Sequence, residues 1–242
     1  MTYNKSSHLV IVPTYNEVKN IEKFLEKLLK FDISVLVVDD NSPDGTAKVV
    51  SKMSEKHKNI YLKNRPGKLG LGSAYRDGFT WGLEHNFNYL IEMDADFSHR
   101  FDDLGKILSS SITSDVVIGS RYIKGGGSSG WDLKRKLLSK YANLTSMILL
   151  RSRVRDMTSG FRCYSSKSLE LIEYYNTATN GYSFQIEMTL RSVIKKLKIL
   201  EVPILFIERE LGNSKMSQNI VLEALSFLMK NGIRRWLNLK IM

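Results

Sequence analysis

Short apolar runs that break off at acidic residues constrain this chain more than any other feature. Val35-Leu36-Val37-Val38 runs into Asp39-Asp40, Tyr89-Leu90-Ile91-Glu92-Met93 runs into Asp94-Ala95-Asp96, and Val10-Ile11-Val12 is stopped by Pro13 ahead of Tyr15 and Glu17. Between these runs apolar residues recur at helical spacing, as in Ile21, Phe24, Leu25, Leu28 and Leu29 and, more loosely, Ala74, Phe79, Trp81 and Leu83. Such alternation is the pattern of an α/β protein, in which helices link strands into a mostly parallel sheet and cover it. The runs predict strands near 8–12, 34–39, 59–63, 88–93, 115–118 and 199–206. A further helix is expected over 133–150, with Leu137, Leu138, Tyr141, Leu144 and Ile148 on one apolar face.

In open α/β sheets ligands bind beyond the carboxyl ends of the strands, so acid-ended strands point to a nucleotide site. Asp94 and Asp96 are two residues apart on an extended segment and share one face. Two hard oxygen donors there suit Mg²⁺ or Mn²⁺, which keep positions open for phosphate oxygens. An isolated Asp-x-Asp fits a polar strand exit with no ligand equally well, and the remaining motifs must decide.

A chain of 242 residues, 43% hydrophobic, suffices for one substantial core, and a single domain over 1–242 is expected. Its one cysteine, Cys163, excludes an intramolecular disulfide and suits a reducing, cytosolic compartment. The net charge of +11, from 36 basic against 25 acidic side chains, implies a polyanionic partner. No nucleic-acid module is recognisable, and anionic lipid, a sugar nucleotide or a lipid phosphate would use the same charge. No stretch approaches the roughly 18 to 20 apolar residues that span a bilayer, and Met1-Thr2-Tyr3-Asn4-Lys5 lacks a signal-peptide core, so a soluble or peripheral protein is expected. Gly67-Lys68-Leu69-Gly70-Leu71-Gly72 lacks the spacing and the terminal Lys-Ser/Thr of a P-loop.

Five motifs in series carry a family resemblance. The Pro13, Tyr15 and Glu17 turn, Asp39-Asp40 with Ser42-Pro43-Asp44-Gly45-Thr46, Asp94-Ala95-Asp96, Gly119-Ser120-Arg121-Tyr122, and Glu208-Arg209-Glu210-Leu211-Gly212-Asn213-Ser214-Lys215 follow in order. Together they resemble the family 2 inverting glycosyltransferases, specifically the dolichyl- or polyprenyl-phosphate mannosyltransferases, from about residue 8 to about residue 220. The resemblance implies a GT-A-like nucleotide-diphospho-sugar transferase fold and the movement of mannose from GDP-mannose to a dolichyl or polyprenyl phosphate.

It also implies roles, residue by residue. Asp94 and Asp96 hold the metal that neutralises the departing diphosphate. Position 98 completes that shell; some relatives carry glutamine there, and Ser98 is a weaker ligand. Pro13, Tyr15, Glu17, Asp39 and, less directly, Asp40 match nucleotide-base and ribose contacts, with Lys68 and Ala95 beside the same site. Arg121, Arg135 and Ser139 match the acceptor-phosphate positions, and Arg209 and Lys215 would clamp the diphosphate. A lipid phosphate, with a second pKa near 6, is largely a dianion at neutral pH and needs no general base, so catalysis reduces to positioning and charge stabilisation on Asp94, Asp96, Arg121 and Arg209. The glycine-rich stretch 125–130 reads as a loop, mobile without acceptor.

Two other functions remain open at this stage. A sister activity would move glucose or another hexose from a UDP-sugar to a polyprenyl phosphate, and a non-catalytic reading makes the chain a basic membrane-surface binding protein. Residues 216–242 form a basic amphipathic segment containing Val221, Leu222, Leu225, Leu228, Met229 and Trp236 with Lys230, Arg234 and Arg235, which suits either an anionic membrane interface or packing on the sheet. A separate membrane-spanning subunit is a further possible partner.

Overall fold

The computed structural model describes residues 7–208, 218–237 and 239. Strands β1 (His8–Thr14), β2 (Ser34–Asp39), β3 (Ile60–Asn64), β4 (Tyr89–Glu92) and β5 (Val116–Ser120) alternate with helices α1 (Ile21–Leu29), α2 (Thr46–Lys56), α3 (Leu71–Glu84) and α4 (Phe101–Ser111). The second half holds β6 (Gly127–Ser129), α5 (Leu133–Leu149), β7 (Arg162–Ser165), α6 (Ser166–Ile172), α7 (Tyr182–Ile194), β8 (Ile199–Pro203), β9 (Leu205–Ile207) and α8 (Gln218–Trp236).

The main sheet runs β3-β2-β1-β4-β7-β5-β8. Its strands are parallel except β7, which lies antiparallel between β4 and β5. Successive side chains alternate across the sheet, and both faces are covered. Leu9, Ile11, Leu36, Val38 and Leu90 join the core on one side, and Val10, Val12, Val35, Val37 and Ile91 the core on the other. Helix α3 lies very close to the first of these faces because it carries glycine at two positions one turn apart. A Cβ at Gly78 would stand 2.4 Å from Ile11 Cγ2, and one at Gly82 would stand 2.5 Å from Leu90 Cδ2. The close approach brings Tyr75, on the same helix, to the end of β4.

Three expectations are corrected. The glycine-rich stretch is not a loose loop: Gly127–Ser129 pairs in parallel with β9, forming a separate two-stranded sheet. The run over 199–206 is two strands rather than one, because it leaves the main sheet at Pro203 and enters the small sheet at Leu205. The apolar face of 133–150 does not cover the sheet. Leu133, Leu137, Leu138, Tyr141, Leu144 and Ile148 are all exposed, Leu133 at 72% and Leu138 at 63%, while Asn143 and Ser146 face inward. Helix α8 packs along α5. It buries Phe227, Leu228 and Asn231 and leaves Leu225, Met229, Ile233 and Trp236 exposed. Among the described residues no helix is long and apolar enough to cross a membrane.

Candidate active site

The acidic pair lies where β4 ends. The chain turns sharply there: Phe97 takes φ 63°, a left-handed conformation uncommon for a bulky side chain, and the Ser98 N–H donates to Asp96 Oδ1 at 3.0 Å. The ring of Phe97 anchors the turn edge-on against Phe24, 5.6 Å between centroids. Tyr75 Oη donates to Asp94 Oδ1 at 3.4 Å. Ser98 Oγ is buried with no hydrogen-bond partner among the described residues, an orphaned oxygen of the kind a metal or its bound water would satisfy. Two carboxylates and one hydroxyl would leave about half of an octahedral shell for water and substrate oxygens, which fits Mg²⁺ or Mn²⁺.

His99 braces the start of this turn. Its Nδ1 accepts from the Asp94 N–H at 3.3 Å, which places the ring proton on Nε2. The ring stacks on Phe161 at 4.8 Å. Burial pushes its pKa down to about 4, against the opposing pull of the Asp96 charge. Beneath the pair, burial pushes the Glu92 carboxyl up to about 8 despite the nearby Arg162 charge, and Gln185 Nε2 donates to Glu92 Oε2 at 2.8 Å.

The loops after β1 and β2 are stitched into one shelf. Asn16 N donates to Ser42 Oγ and Glu17 N to Thr46 Oγ1, each at 3.0 Å, and Val18 N donates to Asp44 Oδ2. Asp39 is fully buried and accepts from Thr14 Oγ1, Ser42 Oγ and Ser42 N at 2.7 to 2.8 Å, so it braces this shelf. Asp40 pairs with Arg65 at 2.6 Å and receives the Leu69 N–H, fixing the approach to α3; burial raises its pKa further than Arg65 lowers it. On the shelf, the ammonium of Lys68 lies 4.6 Å from the centre of the Tyr15 ring. Two residues far apart in sequence therefore meet in the arrangement a base and a phosphate would use, a flat ring beside a cation. Pro13 and Glu17 are half-buried on the same shelf, and Ala95 is buried between the two acids.

The arginines of the third cluster differ in their commitments. Arg121 donates through Nε and Nη2 to the fully buried Asp156 at 2.8 and 2.7 Å, and through Nη2 to Thr158. Arg135 lies over the Trp131 ring, 4.5 Å from its centre, and pairs with Glu208 in the open, both side chains about 40% exposed. One turn along α5, Ser139 Oγ accepts from Tyr122 Oη at 2.6 Å. Asn143 then ties the turn together, donating to Ser139 O and Thr158 Oγ1 and accepting from Met157 N. Phe206 joins this cluster to the Asp94–Ser98 turn: it packs on Trp131 at 5.3 Å and His99 at 5.7 Å, and the next residue, Ile207, donates its N–H to Ser98 O. Arg209 and Lys215 lie outside the described residues. Tyr75, His99, Asp156, Asn143 and Glu208 shape the site, and none stands out by residue type; only two are marked by position in the sequence, His99 beside Asp94-Ala95-Asp96 and Glu208 at the head of the last motif.

The family model for glycosyl transferase family 2 matches residues 9–172. The chain belongs to this family. It is 41% identical over 235 residues to an undecaprenyl-phosphate mannosyltransferase of Micrococcus luteus, covering 96% of this chain and 97% of the relative. Identity to a polyprenol monophosphomannose synthase of Mycolicibacterium smegmatis is 40% over 230 residues, 93% of this chain and 87% of that one. Among solved structures, a mannosyltransferase from Pyrobaculum calidifontis in complex with GDP-Man and Mn²⁺ superposes with a TM-score of 0.64 at 18% identity, over 96% of this chain and 65% of that one. Glucosyl-3-phosphoglycerate synthase from Mycobacterium tuberculosis, with Mn²⁺ and UDP-glucose, gives 0.69 at 15% identity, over 95% and 80%. At these identities the structural matches establish the GT-A-like fold of this family 2 member, a mostly parallel sheet flanked by helices.

Proposed function

We propose that this family 2 enzyme transfers mannose from GDP-mannose to a polyprenyl phosphate in a divalent-metal-dependent, inverting reaction. The reading rests on the junction of three groups around the end of β4: the Asp94/Asp96 turn, the Tyr15/Lys68 shelf, and the Arg135/Ser139 cluster reached through Phe206. Two relatives at about 40% identity over nearly the whole chain, named for transfer of mannose to polyprenyl phosphates, support the sugar and the acceptor. A Mg²⁺ or Mn²⁺ ion on Asp94 and Asp96, with Ser98 directly or through water, would act as a Lewis acid toward the diphosphate. Tyr75 and the Asp94 backbone contact with His99 hold the first carboxylate in place, and the Ser98 N–H holds the second. Tyr15 and Lys68 orient the nucleotide, and Arg135 with Ser139 orients the acceptor dianion, whose oxygen attacks without a base.

The assay is release of GDP from GDP-mannose on addition of a polyprenyl phosphate, with and without Mn²⁺. Turnover only with UDP-glucose would move the assignment to the sister activity, and no turnover with either would favour the binding-protein reading.

The acceptor also defines where the enzyme works. Helix α5 carries Lys134, Arg135, Lys136 and Lys140 with no acidic residue, and α8 carries Lys230, Arg234 and Arg235 with the single acid Glu223, which accepts from Ser183 Oγ. Beside these charges run the exposed apolar stripes of both helices. This combination fits an anionic bilayer interface, and the phosphate residues Arg135 and Ser139 share a helix with one stripe. The enzyme is therefore read as peripheral, at the cytosolic face of the membrane that holds its acceptor. A separate membrane-spanning subunit would be the other means of recruitment.

A further inference from the structure

Glu208 is fixed in place from three directions. Its N–H donates to Ser129 O at 3.0 Å, continuing the β6–β9 pairing by one bond. Gly130 leaves room for its side chain: the glycine has φ +84°, and a Cβ there would come 2.7 Å from Glu208 Cβ. Its carboxylate then pairs with Arg135, whose guanidinium is oriented by the Trp131 face and whose backbone N–H is capped by Asp132 at 2.6 Å. A carboxylate and a phosphate offer a guanidinium the same pair of oxygens. The two arginines of the cluster are thus not equivalent. The partner of Arg121 is wholly buried Asp156, whereas the partner of Arg135 is 41% exposed and exchangeable.

We infer that Glu208 holds the acceptor-phosphate position in the unliganded enzyme and is displaced by the acceptor, making it a specificity-determining residue. This rests on the reading of Arg135 as an acceptor-phosphate contact. Displacement favours a ligand carrying more charge than a carboxylate, which a phosphate monoester dianion does and a carboxylate or phosphodiester monoanion does not. The surrounding bilayer presents phosphodiester headgroups in excess, so a resident carboxylate at Arg135 keeps them from occupying the site. Glu208 acts through Arg135 and takes no part in bond making or breaking.

The test is steady-state kinetics with GDP-mannose, Mn²⁺ and a water-soluble short-chain polyprenyl phosphate, comparing the wild type with Glu208→Gln, Glu208→Asp, Arg135→Gln and the double variant. Glu208→Gln is expected to lower the acceptor KM about two- to fivefold, the range of an exposed ion pair, with the KM for GDP-mannose unchanged and Glu208→Asp restoring the wild-type value. In the Arg135→Gln background, where acceptor KM is raised, the Glu208 substitution should have no further effect. A structural role predicts the opposite sign, a raised KM or a loss of kcat. If Arg135→Gln raises the acceptor KM while Glu208→Gln leaves it unchanged or raises it, the displacement is wrong and the acceptor site stands. If Arg135→Gln leaves the acceptor KM untouched, the acceptor-site reading fails and the role of Glu208 fails with it.

Discussion

Asp156→Asn tests whether Arg121 is held as a structural cation before it is a substrate contact. The carboxylate is wholly buried and accepts three bonds from Arg121, from the backbone N at 2.9 Å, Nε at 2.8 Å and Nη2 at 2.7 Å. Asparagine keeps the volume and one acceptor but turns an amide NH₂ toward the guanidinium and removes the buried carboxylate charge that faces it, where only 9% of the Arg121 side chain is exposed. Breaking such a buried pair costs about 3–5 kcal/mol, and the retained acceptor places this substitution near the lower end. At about 2–4 °C per kcal/mol for a chain of this size, thermal unfolding followed by circular dichroism at pH 7 should show a fall of about 6–12 °C. The pH dependence fixes the sign independently. Burial raises the Asp156 pKa, but the Arg121 charge and hydrogen bonds outweigh it and hold the carboxyl below the usual carboxylate value. The stabilisation is therefore fully present above the unfolded value, near 4, and is lost as pH falls through the folded one. The gap between wild type and variant should be constant from pH 7 to about 5 and close in stronger acid. A fall of under about 2 °C at pH 7, or a gap that widens in acid, would refute the argument.

Asp94→Asn or Asp96→Asn should reduce turnover by about two orders of magnitude or more with an unchanged melting temperature, and near-normal rates in dilute Mn²⁺ would remove the metal assignment. Calorimetry in Mn²⁺ should show GDP binding ahead of UDP, and Lys68→Ala should weaken GDP; equal affinity for the two nucleotides would favour the UDP-hexose alternative. Replacing Leu137, Leu144, Met229 and Ile233 together with glutamine should abolish co-sedimentation with anionic vesicles while sparing turnover of a soluble short-chain acceptor. Binding by the wild type should also weaken with added salt, and wild type that fails to sediment would indicate recruitment by a membrane-spanning subunit.

What could be read from the sequence follows from how each element is stabilised. β1 and β2 are legible because Val10-Ile11-Val12 and Val35-Leu36-Val37-Val38 are buried on both faces and so are apolar without interruption. β7 reads Arg162-Cys163-Tyr164-Ser165, and its buried arginine is satisfied by Ser159 O, Met157 O, Gln185 O and Thr189 Oγ1, contacts that no local pattern announces. Helix α7 hides for the same reason, since Ser183, Gln185, Glu187, Thr189 and Ser192 are all buried. The periodicity of 133–150 gives an apolar stripe but not its direction, and here the stripe faces out. At the site, acids at strand ends were visible as a class. Their separate contacts were not: Asp39 braces a turn, Asp40 pairs with Arg65, Asp94 accepts from Tyr75, and Asp96 accepts from the Ser98 N–H.

The antiparallel strand β7 has a consequence for the order in which the protein is made. β1 to β4 and their helices are contiguous in the chain, yet β4, which leads into Asp94 and Asp96, takes one neighbour from β1 and the other from β7. During synthesis the N-terminal half can pair its strands as soon as residue 92 emerges. Its β4 border stays open until residues 162–165 appear, after the whole of α5. An open sheet border carrying Leu90 and Ile91 is a template for pairing with another nascent chain. Closure of that border by β7, itself hydrogen-bonded to β5, is then the step that commits the two halves to each other.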